Sequence, residues 1–295
     1  MSSPHLLPET LAPEIASYAI SPTPGPSPAS SAIEQSQALH RIRILNGWAN
    51  QPIRPGARVL ELGCGQGTCT QALGVAVGAT GHVDAVDPAP SDYGSPFTLG
   101  EAQAHLLRGP LGARIAFHCA DPVAFLQSSA ADPAARWDVA VLAHCIWYFA
   151  SAEVLAGVLG ALRGRVDVVC VAEYALRASE PAAVPHVLAA LAATGGSDST
   201  ANIRTPLSPR AVKAVAARAG WRLQGEDMVV PDAALSDGFW EAAAVVADDI
   251  EAEGTGEFER VGMAAARDAT VAAVELVGGV KNVRTMDVWV ATLVE

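Results

Sequence analysis

The chain is poor in lysine and in positive charge generally. Its 295 residues include 19 Lys and Arg against 31 Asp and Glu, which gives a formal net charge of −12 at pH 7. Only Lys213 and Lys281 are lysines, and the arginines are scattered. Proteins that bind nucleic acid or an anionic membrane surface hold phosphates with clustered Lys and Arg. The composition therefore argues against both kinds of partner.

The sequence also lacks paired cysteines and long apolar runs. No two cysteines have the C-x-x-C spacing of zinc or redox sites, and their odd number favours a reducing compartment. No apolar run approaches the roughly 20 residues of a membrane helix. The first Lys or Arg is Arg41, whereas a signal peptide starts with a segment that carries Lys or Arg. We therefore expect a soluble, cytoplasmic protein. The cysteines are Cys64, Cys69, Cys119, Cys145 and Cys170.

The first part of the chain changes character near residue 31. Residues 1–30 contain seven prolines, which predicts a flexible, proline-rich N-terminal arm. An alternative for its stretch Leu11–Ile20 is a single docked helical turn, which would carry Tyr18, a candidate substrate contact. Our hypothesis is that the arm or the helix after it lets the protein form a homodimer. From residue 31 onward, Ala38, Ile42, Leu45 and Trp48 recur at helical spacing and predict an amphipathic helix.

Strand and helix patterns then alternate along the chain. Alternation of this kind predicts an α/β fold with a doubly covered parallel sheet. About fifty residues (232–282) separate the last two predicted strands, too many for a bare loop, and they predict a helical cap insertion whose helices bury Phe239, Ala243 and Val261. The predicted strands are Arg58–Leu62, Gly81–Asp87, Arg114–His118, Trp137–Leu142, Val166–Ala172, Trp221–Val230 and Val283–Val294.

A glycine-rich turn follows the first predicted strand. Glycines there let the backbone approach a ligand closely and leave helix N–H groups facing it. The dinucleotide fingerprint G-x-G-x-x-G would require a third glycine at position 68, where this chain has Thr68. The acid Glu61 stands two residues before Gly63, and further glycines follow at Gly65 and Gly67.

Glu61-x-Gly63-x-Gly65-x-Gly67 resembles motif I of the class I S-adenosylmethionine-dependent methyltransferases. The resemblance covers roughly residues 55–295 and implies a domain spanning 31–295 with strand order 3-2-1-4-5-7-6, the last strand being antiparallel. It implies S-adenosylmethionine as cofactor, with Asp87 accepting hydrogen bonds from the ribose hydroxyls. The cofactor-binding residues that it implies are Glu61, Gly63, Cys64, Gly65, Gly67, Asp87, Ala120, Asp121 and His144.

Two of these acids have structural alternatives. Asp87 precedes Pro88, and Asp commonly begins a turn at such a place. Asp121 precedes Pro122, so that an N-cap with proline at the first helical position is a serious alternative to adenine binding. The two roles of Asp121 are compatible if a backbone N–H serves the adenine.

The acceptor site is expected beyond the carboxyl ends of strands four and five, where ligands of open α/β sheets bind. His144 is a candidate base because its unperturbed pKa lies near cellular pH; the alternatives are a structural or a cofactor-contacting histidine. Glu173 is a second candidate base or a candidate anchor for an ammonium substrate; the alternative is a plain strand-end carboxylate. Trp147 and Tyr148 are candidate walls of the acceptor pocket or ordinary core aromatics.

Several absences narrow the reaction. No Cys/His cluster indicates zinc, no Gly-x-Ser-x-Gly indicates a hydrolase, and strands four and five lack the paired acids of magnesium-dependent relatives, so we expect no metal. Arg204 is a candidate contact for an acidic substrate, or a solvated arginine.

The prediction is therefore methyl transfer to the O, N or C atom of a small molecule, as in natural-product biosynthesis. The alternatives are a methyltransferase fold that binds the cofactor and steers another reaction such as cyclisation, and, less favoured, an NAD-dependent oxidoreductase.

Overall fold

Seven strands form one mixed sheet in the computed structural model, which describes residues 6–20, 28–128, 136–193, 203–247 and 257–295. The order is β3-β2-β1-β4-β5-β7-β6, with β7 antiparallel to both of its neighbours. The predicted fold class and strand order are confirmed. The strands are β1 Arg58–Leu62, β2 His82–Asp87, β3 Ile115–Cys119, β4 Trp137–Ala143, β5 Val166–Tyr174, β6 Arg222–Val229 and β7 Val288–Val294.

Helices cover both faces of the sheet, as the strand pattern requires. In β1, Val59 packs into the apolar cluster under the helices that begin at residues 28 and 68, whereas Leu60 and Leu62 pack into the cluster on the opposite face. The helices are α1 Ala12–Ala16, α2 Pro28–Gly47, α3 Thr68–Ala76, α4 Leu99–Arg108, α5 Pro122–Ser128, α6 Ala152–Leu162, α7 Val184–Ala192, α8 Pro209–Arg218, α9 Asp237–Ala247 and α10 Glu257–Leu276.

The first long helix is buried on the predicted face. Ala38, Ile42, Leu45 and Trp48 are all at most 5% exposed, and the Trp48 indole N–H donates to the carbonyl of Val171 in β5 over 2.9 Å. This hydrogen bond and the apolar face fix α2 across the sheet.

The N-terminal segment over residues 6–20 is docked on the domain, in line with the alternative of a docked helical turn at Leu11–Ile20 and unlike a flexible arm. Within residues 6–20, Leu7 and Ile15 are buried in the same cluster as α2, and the Asn46 side chain exchanges two hydrogen bonds of 2.8 Å with the Leu7 backbone. The packing of these apolar residues against α2 fixes the segment in spite of its prolines. α2 also starts at Pro28, inside the predicted arm; residues 1–5 and 21–27 lie outside the described residues.

The cap helices α9 and α10 lie between β6 and β7, where the insertion was predicted. The predicted buried face was wrong for α10, where Val261 is 63% exposed. On α9 the predicted Phe239 and Ala243 are half-buried, and the fully buried position is Ala242. Alanine occupies both buried and exposed positions of these helices, so its spacing does not define the face that packs.

The helices of the described ranges include none that is both long and apolar enough to cross a membrane.

Candidate functional site

The loop between β1 and α3 is built from three glycines in left-handed conformations. Gly63, Gly65 and Gly67 have φ values of +75°, +52° and +91°. A Cβ at Gly63 would collide with Cys145, and one at Gly67 would lie 2.6 Å from Leu106 Cδ1. At Gly65 no atom lies within 4 Å of the added Cβ. The outer glycines are therefore required by packing, while the middle one faces open space that a ligand can enter.

The carboxylate of Asp87 lies against this open glycine. Its Oδ2 accepts a hydrogen bond from the Gly65 N–H over 2.8 Å, and its Oδ1 accepts one from the Ala89 N–H over 2.9 Å. The second bond is a turn contact, as expected for an Asp that precedes Pro88. Two carboxylate oxygens accept about four hydrogen bonds, so Asp87 retains the capacity to bind two vicinal hydroxyls.

Ala120 and Asp121 follow β3 at the same edge of the sheet. The Ala120 N–H donates to the Asp87 carbonyl over 3.0 Å. Asp121 Oδ1 accepts from the Ala124 N–H over 2.9 Å, so that Asp121 caps α5 with Pro122 at the first helical position. The structural alternative for Asp121 is thus present, and its exposed carboxylate still borders the site.

Glu61 and Cys64 are buried beneath the loop. Glu61 Oε2 accepts from the Thr70 hydroxyl over 2.6 Å, which ties β1 to α3. Burial raises the pKa of Glu61 to about 7. Burial also raises the pKa of the Cys64 thiol, so this side chain is a neutral packing group, and its N–H donates to the Val86 carbonyl over 3.3 Å. Both residues therefore hold the loop in place through contacts with its neighbours in the core.

His144 leaves β4 in a strained backbone conformation, with a φ of +53°. Its Nε2 lies 3.1 Å from Nε2 of His40 on α2, and its Nδ1 lies 3.5 Å from Glu173 Oε1. Burial holds the pKa of His40 well below its usual range, so His40 is neutral near pH 7. Which of the two Nε2 atoms donates in this contact depends on the tautomers of the rings, and His144 Nδ1 has no hydrogen-bond partner among the described residues.

Glu173 is occupied by the backbone. Its Oε2 accepts from the N–H groups of Ile146 and Trp147 over 3.0 and 3.4 Å, and its Oε1 accepts from the Tyr174 N–H over 3.0 Å. These bonds hold the turn after β4, and Oε1 lies 3.5 Å from His144 Nδ1. The geometry favours a positioning role over the predicted role of base.

Tyr174 connects this histidine to the helices around it. Its ring centroid lies 4.5 Å from that of His144 and 5.0 Å from that of His186 on α7. Its hydroxyl donates to Asp237 Oδ2 over 2.7 Å, and Gln37 Nε2 donates to Asp237 Oδ1 over 2.8 Å. β5, α2 and α9 are therefore joined at one polar cluster.

His186 has a defined neutral tautomer. Its Nδ1 accepts from the Met286 N–H over 3.0 Å, and burial lowers its pKa to about 4. The proton therefore lies on Nε2, which is buried and has no hydrogen-bond partner among the described residues. A buried donor of this kind can bind a ligand oxygen.

A cleft of about 370 Å³ lies between α2, the glycine loop and the first cap helix. Glu34, Gln37 and Gln71 give it a polar side, and Phe97 and Trp240 give it an aromatic side. This size and mixed lining are typical of small-molecule sites.

The predicted acceptor residues lie in different surroundings. Trp147 is 2% exposed and its indole N–H donates to the Leu207 carbonyl over 3.1 Å, so it belongs to the core and is not a pocket wall. Tyr148 is 52% exposed beside it. Tyr18 donates its hydroxyl to Glu14 over 2.8 Å and lines a separate pocket of about 60 Å³. Arg204 is exposed, and its N–H donates to the Trp147 carbonyl over 2.8 Å; its substrate role stays a prediction.

Sequence reasoning missed most of the polar cluster. Tyr174 directly follows Glu173, which was a usable signal, but His40, His186 and Asp237 come from separate helices. Within the described ranges no group of three His, Cys, Asp or Glu side chains is placed to hold a metal ion; the expectation of a metal-free enzyme stays a prediction.

Comparison with known proteins points to one family. A family model described as a methyltransferase domain matches residues 35–224. The chain is 32% identical over 290 residues to a protein named methyltransferase phomM' of Diaporthe leptostromiformis, a match that covers 82% of this chain and 74% of that one.

Solved structures share the whole architecture. A cyclopropane-fatty-acyl-phospholipid synthase-like protein of Lactobacillus casei matches with a TM-score of 0.81 and 29% identity, over 97% of this chain and 100% of its own. The cyclopropane synthase MmaA2 of Mycobacterium tuberculosis matches with a TM-score of 0.51 and 15% identity, over 97% of this chain and 95% of its own; this second likeness concerns the fold alone.

Proposed function

Because the chain belongs to the methyltransferase domain family, whose members in this class use S-adenosylmethionine, we propose that it methylates a small molecule bound in the cleft between α2 and α9. The cleft carries this proposal. It has the volume of a small-ligand site, and the net charge of −12 disfavours a nucleic-acid acceptor.

The described residues fit the cofactor. Gly65 offers open space where a side chain would stand, and the Asp87 carboxylate next to it retains acceptor capacity for the two ribose hydroxyls. Ala120 and Asp121 border the same edge of the sheet and are proposed to contact the adenine. S-adenosylmethionine supplies a sulfonium methyl group whose transfer leaves a neutral thioether.

The chain's own contribution is orientation, exclusion of water and acceptance of a proton. α2 and α9, joined through Gln37, Asp237 and Tyr174, close over the cleft and keep the acceptor aligned. For an acceptor with an O–H, N–H or acidic C–H, the methyl replaces that hydrogen and the proton leaves. His144 is proposed to take it at Nε2, in the tautomer in which His40 Nε2 carries no hydrogen and accepts from the protonated His144 ring.

The experiment is a methylation screen with wild-type protein, S-adenosylmethionine and small phenols, amines and carboxylic acids. Mass spectrometry records S-adenosylhomocysteine and an acceptor heavier by one CH₂ unit. Product in at least one small-molecule class is expected. Transfer only to added protein or RNA would contradict the proposal.

The proposed base is tested with His144→Asn, since Asn tolerates the left-handed backbone at this position. The expected loss in kcat is about 100-fold, within the usual contribution of general base catalysis, together with loss of the acidic limb of the pH profile of kcat/KM. His82→Asn is the matched control, because His82 begins β2 at the opposite edge of the sheet. An unchanged pH profile in His144→Asn would remove the base role.

A second candidate is transfer of a one-carbon unit to the carbon atoms of an alkene. The Lactobacillus casei protein named a cyclopropane synthase-like protein supports it, at 29% identity over nearly the whole chain. Loss of alkene protons in the NMR spectrum of the product distinguishes it from O- or N-methylation. Conversion of an acceptor without release of S-adenosylhomocysteine would instead indicate a non-methylating role for the bound cofactor.

A further inference from the structure

Arg41 lies on the same side of α2 as three residues that line the cleft. Glu34, Gln37 and Ala38 contribute to the lining, and Arg41 follows them at spacings of seven, four and three residues, which place all four on one side of a helix. None of the roles proposed above uses this arginine.

Two of its nitrogen atoms are buried without partners. Nε and Nη1 of Arg41 have no hydrogen bond, and within the described ranges the side chain forms no ion pair. Arg43, two residues further along α2, differs: its Nε lies 2.9 Å from Glu9 Oε1 on the surface. Both arginines are half-buried, but of the two only Arg43 has an ion-pair partner among the described residues.

An unpaired buried guanidinium is unfavourable because it cannot lose its charge. Arg41 acts electrostatically on Glu61, Cys69 and Tyr174, lowering the pKa of each against the rise that burial causes. Its positive charge therefore acts on side chains of β1, the start of α3 and the end of β5. Glu61, the one carboxyl group among these three, has a pKa of about 7 and accepts a hydrogen bond from Thr70, so it does not supply a full compensating charge.

We propose that Arg41 binds the α-carboxylate of the methionine part of S-adenosylmethionine. A guanidinium presents parallel N–H donors that match both oxygens of a carboxylate, and the location beside the glycine loop favours the cofactor over the acceptor as the source. The assignment rests on the proposed function, since it presumes that the loop holds this cofactor.

The test compares two ligands that differ in the amino-acid part. S-adenosylhomocysteine carries the carboxylate, and 5′-methylthioadenosine carries the adenosine and the sulfur without it. Calorimetric titration uses the wild type, Arg41→Met, Arg41→Lys and, as matched control from the same helix, Arg43→Met. We expect Arg41→Met to weaken S-adenosylhomocysteine binding about 10- to 100-fold, as for lost charge-assisted hydrogen bonds, with Arg41→Lys intermediate and Arg43→Met unchanged.

All four proteins are expected to bind 5′-methylthioadenosine alike, which also reports that the variants are folded. Thermal unfolding without ligand gives an independent readout: Arg41→Met should melt at or above the wild-type temperature, because the unpaired buried charge is gone.

Three results would overturn the assignment: wild-type affinity of Arg41→Met for S-adenosylhomocysteine, a parallel loss of both ligands, or a lower melting temperature for the ligand-free variant. If the wild type bound neither ligand, the proposed function itself would fail, and this assignment with it.

Discussion

Replacing the glycines of the β1–α3 loop one at a time should separate cofactor binding from stability. Gly63 and Gly65 both have positive φ values, +75° and +52°. An alanine in the left-handed region costs about 1–2 kcal/mol at either position. At Gly65 no steric cost adds to this backbone cost, because the space around an added Cβ is open. At Gly63 the new methyl group also collides with Cys145.

The overpacking at Gly63 adds about 1–3 kcal/mol, so Gly63→Ala should lose about 2–5 kcal/mol of unfolding free energy and Gly65→Ala about 1–2. At about 2–4 °C per kcal/mol, Gly65→Ala melts a few degrees below the wild type and Gly63→Ala clearly lower. S-adenosylhomocysteine binding should fall at least about tenfold in Gly65→Ala, since one obstructed hydrogen bond to the loop already accounts for that loss.

Thermal unfolding and calorimetric titration on the same preparations measure both quantities. Equal destabilisation by the two variants would refute the packing difference. Full cofactor affinity in Gly65→Ala would refute the view that this glycine faces the ligand.

Three further changes test the surroundings of the site. Glu173→Gln replaces a carboxylate that accepts hydrogen bonds from three backbone N–H groups, and in urea titrations it should lower the unfolding free energy by about 1–3 kcal/mol. The exposed control Glu153→Gln should change the unfolding free energy by less than about 0.5 kcal/mol. Equal effects of the two variants would contradict the positioning role. Burial raises the folded-state pKa of Glu61 to about 7 from its usual value of 4.5, so between these values the folded state binds more protons than the unfolded state and stability falls as pH rises from 4.5 to 7. The melting temperature of Glu61→Gln minus that of the wild type should therefore increase across that window, and taking the difference removes the opposite trend of His186. A difference that does not change with pH would contradict the buried acid. Trp240→Ala removes a 46% exposed ring from the cleft and should raise the acceptor KM about tenfold, as for lost aromatic contact area, with little change in melting temperature; an unchanged KM would place the acceptor elsewhere.

The sheet could be predicted from the sequence because its apolar runs are short and clearly bounded. β1 has the predicted limits, and Val59 and Leu60 alternate between the two cores. β7 was predicted from Val283 but begins at Val288, since apolar and β-branched residues continue outside the ladder. The strand ends depend on pairing partners that the local pattern does not contain.

The glycine loop could be predicted from the sequence because its residues are contiguous and its glycine spacing is easily recognised. The polar cluster was not, because His40, Tyr174 and Asp237 are brought together only by the packing of α2 and α9 on β5. Trp147 shows the reverse problem. A tryptophan at a strand end is equally suited to a pocket wall and to the core, and only its 2% exposure decides for the core.

The central claim is that Asp87 and the glycine loop hold S-adenosylmethionine. Calorimetric titration of S-adenosylhomocysteine into wild type, Asp87→Asn and Asp167→Asn tests this claim most directly. Asp167 serves as the surface control because its side chain is 67% exposed. We expect saturable binding by the wild type and the control, and a loss of about tenfold or more in Asp87→Asn, as for charge-assisted hydrogen bonds to the ribose. Absence of binding to the wild type, or wild-type affinity in Asp87→Asn, would contradict the account.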